Sequence, residues 1–150
     1  MTRLTKLPEA KEDPIELSIL QWLEFSLRIK TVWKNDIKGF YNKTANAYFK
    51  NKNPYIRKGI SDISFLKDGQ FVCIEVKRPS EMKFFIQPME TLKLEFARAK
   101  MLKKTTADKY EHAMEQQLFL RQIREQGGIA FFACSADMVK EKLIKQGFKF

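Results

Sequence analysis

Four stretches of the chain place apolar residues at helical spacing. Over residues 14–30, Leu20, Leu23 and Leu27 fall four, seven and eleven positions after Glu16, so Glu16 shares a stripe that should face a core. Asp13 suits the N-cap of this helix and Pro14 its first position. Residues 89–104 carry Leu92, Phe96 and Ala99 on one side. Residues 110–126 align Gln116, Leu120 and Ile123, with Phe119 beside them, and Gly127-Gly128 ends the run. Ala136–Lys145 reads as a final helix closed near Gly147. Strand-like runs occupy Thr31–Trp33, Ile60–Leu66, Phe71–Lys77 and Ile129–Cys134, and the stretch from Lys34 to Arg57 reads as irregular. No repeat or linker divides the chain, so one α/β domain over residues 1–150 is expected.

Asp68-Gly69 between two strand-like runs signals a two-residue hairpin. That turn sets Lys67 opposite Gln70, Phe65 opposite Val72, Ile63 opposite Ile74 and Asp62 opposite Glu75. Glu75 and Lys77 then share one face, and Val72, Ile74 and Val76 point to the other. Residues directly opposite have Cβ atoms about 5 Å apart, and two like charges so placed repel. A divalent cation chelated by both carboxylates would relieve the repulsion, and oxygen ligands suit Mg²⁺ or Mn²⁺. The alternative is a surface ladder in which Lys77 neutralises both acids. Glu16 has two readings as well: it closes a capping box with Asp13, or its helix delivers it to a buried site. Gln116 is either a core amide or a site residue.

Charge narrows the partner. The sequence has 28 Lys+Arg against 18 Asp+Glu, a net +10, which favours a polyanion such as DNA or RNA. Between Arg28 and Lys58, basic residues including Lys34, Lys50, Lys52, Arg57 and Lys58 interleave with Trp33, Phe40, Tyr41, Tyr48, Phe49 and Tyr55, and Asp36 is the only acid. Cationic side chains suit phosphates and aromatic faces suit exposed bases; a solvated loop pinned by its aromatics is the alternative. With a single histidine, His112, zinc sites and Ser-His-Asp triads have little to work with. Cys73 and Cys134 form no CxxC pair and read as reduced core residues. No apolar run approaches the roughly 20 residues of a membrane helix, and the N-terminus lacks a signal peptide's apolar core, so a cytoplasmic protein is expected.

Gly59-Ile-Ser-Asp62, Ile74-Glu-Val-Lys-Arg-Pro79, Gln116 ahead of Phe119-Leu120, and Gly127-Gly128-Ile-Ala130 together resemble the VRR-NUC family of PD-(D/E)XK nucleases, over roughly residues 12–145. The resemblance implies a restriction-endonuclease-like core, a mixed sheet in αβββαβ order flanked by helices. It implies a metal-dependent DNA endonuclease using Mg²⁺ or Mn²⁺ and no organic cofactor. Asp62, Glu75 and the Val76 backbone carbonyl would be metal ligands, and Glu16 would reach a metal from the first helix. Lys77 would orient or activate the attacking water, and Gln116 would support the site. Standalone members are phage or bacterial proteins acting on branched DNA such as four-way junctions, often as homodimers. The departure is a longer connection over residues 79–109, an expected helical insertion. Its apolar side would be covered by the core or by a second subunit, and it would present Lys100, Lys103 and Lys104 to DNA beside Arg78. The rival reading is a catalytically silent nucleic-acid-binding module on a nuclease fold.

Overall fold

The structure is a computed structural model and describes residues 12–35, 40–45, 47–49 and 59–150. Helix α1 (Glu12–Gln21) runs into a π-helical turn (Trp22–Ser26), and strand β1 (Val32–Lys34) follows. Next come β2 (Phe40–Asn42), β3 (Ala47–Phe49), β4 (Ile63–Lys67) and β5 (Gln70–Val76). Three helices, α2 (Pro79–Phe85), α3 (Met89–Met101) and α4 (Ala107–Glu125), lead to β6 (Ile129–Ala133) and α5 (Ala136–Lys145). The main sheet has the order β1-β4-β5-β6, antiparallel except for the parallel pair β5–β6, while β2 and β3 form a small antiparallel pair. The chain is therefore α/β with a four-stranded mixed sheet flanked by helices.

Local chemistry explains the centre of the sheet. Asp68 (φ 49°) and Gly69 (φ 76°) are both left-handed, as a two-residue type I′ turn requires. The turn sets the expected register: Lys67 pairs with Gln70, Phe65 with Val72 and Ile63 with Ile74. On one face Val72, Ile74 and Val76 pack with Ile15, Ile19 and Leu23, and with Val139 and Leu143 of α5. On the other, Cys73 joins Leu92, Phe119 and Leu120 from α3 and α4. Each fully buried aliphatic side chain contributes about 1.5–3 kcal/mol, so β5 is held from both sides. The parallel β5–β6 pair needs a long crossover, and α2 to α4 supply it. Cys73 and Cys134 are free thiols, and burial pushes the Cys73 thiol's pKa up.

Several expectations change. Among the described residues the first helix already includes Glu12, so Asp13 lies within the helix rather than at its cap. Glu16 is accordingly a buried side chain, 6% exposed, and not half of a capping box. The helical run ends at Ser26 instead of residue 30: Leu27 N donates to Trp22 O, and left-handed Arg28 (φ 53°) turns the chain so that Ile29 enters the core. The stretch read as irregular contains the β2–β3 pair. Residues 79–109 hold two helices rather than one, with Pro79 starting α2 and Pro88 preceding α3. Leu92 and Ala99 are buried, and Leu92 joins the α4 cluster, so the domain's own core covers these two positions of α3, while Phe96 is only partly buried. Among the described residues no helix is long and apolar enough to cross a membrane.

Candidate functional site

The site forms where β5 leaves the sheet. Glu75 and Lys77 are only 2% and 5% exposed. Buried charges persist only when paired, and these are. Lys77 Nζ lies 3.0 Å from Glu75 Oε1, and Gln116 Nε2, from α4, donates to the same oxygen. The Lys77 ammonium also stands 4.2 Å from the centroid of the Phe85 ring, a cation–π contact, and 3.9 Å from Glu12 Oε1. Gln116 thus belongs to the site from its place in an apolar stripe.

Asp62 reaches Glu75 differently from a simple ladder pair. The paired register stops at Ile63–Ile74, and Asp62 turns its side chain over the strand end. Its Oδ2 accepts the Val76 N–H at 2.7 Å, while its backbone carbonyl accepts Asn35 N–H at 2.7 Å. Burial, then the nearby Asp62 charge, raise the Glu75 pKa well above the usual carboxylate range, against the opposing pull of Lys77. The expected repulsion between the two acids is present. Val76 lies between Glu75 and Lys77 and gives its N–H to Asp62, so Asp62 is tied to the strand that bears both.

Gly59 explains how this loop meets α4. Its φ is +71°, and an added Cβ would lie 2.6 Å from the Glu115 carbonyl carbon and oxygen and 2.8 Å from Gln116 N. Only glycine lets the Asp62 loop lie against the helix carrying Gln116.

Glu16 lines the same concave pocket as Asp62, Glu75, Lys77 and Gln116. Its partner is Lys34 of β1, whose Nζ lies 2.6 Å away, and this bond raises the Lys34 pKa. Lys34, expected to contact nucleic acid, therefore sits in the site. Four further polar pocket residues were not read as part of a site: Glu12, Asp13, Asn35 and His112. Glu12 lies one helical turn before Glu16, and His112 one turn before Gln116, so the i, i+4 spacing was the available signal. Burial raises the Glu12 pKa, opposed by Lys77; burial and then the Lys77 charge lower that of His112, which lies at the rim.

The other predicted basic residues scatter. Arg78 pairs with Glu81 at 3.1 Å, beside Glu12 and Asp13 in a neighbouring shallow depression. Lys100, Lys103 and Lys104 are exposed near the α3–α4 turn and do not line the pocket. Lys50, Lys52, Arg57 and Lys58 lie outside the described residues.

Among the described residues two buried acceptors, Glu75 Oε2 and Gln116 Oε1, have no hydrogen-bond partner. Each such atom costs about 1–3 kcal/mol. Among the described residues no three His, Cys, Asp or Glu side chains converge closely enough to hold a metal ion. What the pocket offers an oxygen-seeking cation is the Asp62–Glu75 pair with its unpartnered oxygen, while Glu16 is drawn to Lys34. No protein-family model, curated protein or solved structure matches this chain.

Proposed function

We propose that the protein is a metal-dependent DNA endonuclease that hydrolyses phosphodiester bonds, with a preference for branched DNA such as four-way junctions. The observation that carries this reading is half-buried Asp62 beside buried Glu75, with Lys77 on the same strand face and Glu75 Oε2 unpartnered among the described residues. A purely structural cluster would gain nothing from two adjacent acids and an orphaned oxygen, since an apolar replacement costs less. The preference for branched DNA rests on the VRR-NUC motifs, and the net charge of +10 suits a polyanionic substrate.

Asp62 and Glu75, with the Val76 carbonyl, would hold Mg²⁺ or Mn²⁺. Such an ion supplies Lewis acidity and a nucleophile near neutral pH. Lys77 would hydrogen-bond the attacking water or a non-bridging phosphate oxygen and stabilise the negative charge that develops there. Gln116 holds the Glu75 carboxylate in one orientation through Oε1. Lys34 pairs with buried Glu16; a phosphate arriving at exposed Lys34 would leave Glu16 free to complete the ligand set.

The silent-module reading draws on one observation: Glu16 and Glu75 already have lysine partners. A panel of end-labelled single-stranded, duplex, flap and four-way-junction DNAs, incubated with Mg²⁺, Mn²⁺ or EDTA, separates the two. Cleavage with metal and none in EDTA supports the nuclease. Binding to these DNAs without cleavage in any metal overturns it in favour of the silent module.

A further inference from the structure

Trp33 is 45% exposed on β1, the edge strand that borders the site. An indole so open forgoes much of the burial free energy its size offers. Its orientation is nevertheless held. The Nε1–H donates to Asn35 Oδ1 at 3.0 Å, and Asn35 Nδ2 donates to Ser61 O and Ser64 Oγ, each at 2.9 Å. Asn35 lines the pocket, and its backbone N–H is bonded to Asp62, so the ring is tethered to the loop that carries the candidate ligand. The ring also leans toward Phe71, with centroids 6.3 Å apart and planes at 30°. Its one hydrogen-bond donor is used internally, so what the indole offers outward is its π surface. The next residue, Lys34, brings an ammonium into the pocket.

An aromatic face one residue before Lys34 on the strand, tied through Asn35 to the carboxylate–lysine pocket that Lys34 and Asn35 line, matches a nucleotide: base on the ring, phosphate on the charge. We propose that Trp33 is a stacking platform for an unpaired base of the strand whose backbone enters the Asp62–Lys77 site. In duplex DNA both faces of a base are covered by its neighbours, so the platform selects an unstacked base next to the phosphate that is cut. The substrate class is therefore a strand with a single-stranded position beside the site, as at a flap or a junction centre. This inference rests on the nuclease reading for the identity of the ligand.

The chain's other tryptophan, Trp22, packs against the core, so Trp22→Phe leaves Trp33 as the sole indole reporter. In EDTA, oligothymidylate should quench its fluorescence, and a blunt hairpin duplex of equal charge should quench it far less. In the otherwise unaltered chain, Trp33→Ala should weaken binding of labelled oligothymidylate about tenfold by fluorescence anisotropy, within the range for loss of one stacked base. Duplex affinity should hold, and Trp33→Phe should recover most of the loss. The anisotropy arm does not depend on the Trp22 variant. Equal losses for single strand and duplex, or single-strand binding that Trp33→Ala leaves intact, would overturn the platform while leaving the nuclease reading in place. Failure of the unaltered chain to bind either DNA would overturn both.

Discussion

Replacing Asp62 by Asn tests the repulsion at the heart of the site. An Asn Oδ1 can still accept the Val76 N–H that Asp62 Oδ2 accepts at 2.7 Å, so the loop keeps its anchor. What disappears is one charge beside Glu75. Two unit charges about 5 Å apart at an effective dielectric of about 20 repel by about 3 kcal/mol. The variant also loses the attraction between Asp62 and nearby Lys77, which lowers the net gain to about 1–2 kcal/mol. Without metal the variant should be the more stable protein, melting about 2–8 °C higher for a chain of this size. The sign with pH follows from the raised Glu75 pKa. A carboxyl whose pKa is raised by folding holds its proton more tightly in the folded state. Stability therefore falls as pH climbs from the unfolded carboxylate value through the folded one. The advantage of Asp62→Asn should be absent near pH 4 and reach its full size once Glu75 is ionised. Saturating Mn²⁺ should reverse the ranking, because an ion present at about a hundred times its Kd adds about 2.7 kcal/mol to a protein that binds it. Scanning fluorimetry in EDTA and in Mn²⁺ across pH reads all of this. A variant less stable than the parent in EDTA, or an equal Mn²⁺ shift in both, would refute the reasoning.

Three other perturbations separate the parts of the structure. Lys34→Ala strands buried Glu16 without its cation and should lower the melting temperature in EDTA, with Mn²⁺ restoring part of the loss; unchanged melting would show that the Glu16–Lys34 pair carries no weight. Gly59→Ala forces a Cβ into the α4 backbone at a left-handed position and should cost about 3 kcal/mol or more by urea unfolding; a loss under about 1 kcal/mol would mean that the loop does not rest on the helix. Leu92→Ala should cost about 2–5 kcal/mol as a cavity in the core; a stability-neutral variant that changes only sedimentation would return α3 to a subunit interface.

What could be read in advance follows from how local each determinant is. Asp68-Gly69 dictates its own turn, and the turn carries the register of β4 and β5, so the approach of Asp62 to Glu75 was legible from a few adjacent residues. Gln116 and Glu16 were legible because a polar side chain interrupting an apolar stripe must find a partner. The partner itself was not legible for Glu16. Lys34 reaches it because three-residue β1 pairs with β4, setting Lys34 opposite Ile63, a contact between segments about thirty positions apart. That Asp13 lies inside α1 was obscured because Asp13-Pro14 satisfies the usual rules for a helix start equally well. What covers the insertion was not legible, because an amphipathic stripe shows that a face must be covered and not by what; Leu92 meets the α4 cluster.

Lys77 offers the most direct test of the proposed nuclease activity, since the role proposed for it is separate from the proposed binding of an ion by the carboxylates. Parent and Lys77→Ala should be compared in single-turnover cleavage of a labelled four-way junction with Mg²⁺, at a temperature where circular dichroism shows both folded and with junction binding measured alongside. The account predicts metal-dependent cleavage by the parent, none detectable for Lys77→Ala, and junction affinity within a few-fold of the parent because other basic residues carry the binding. Cleavage by folded Lys77→Ala at the parent's rate would contradict it.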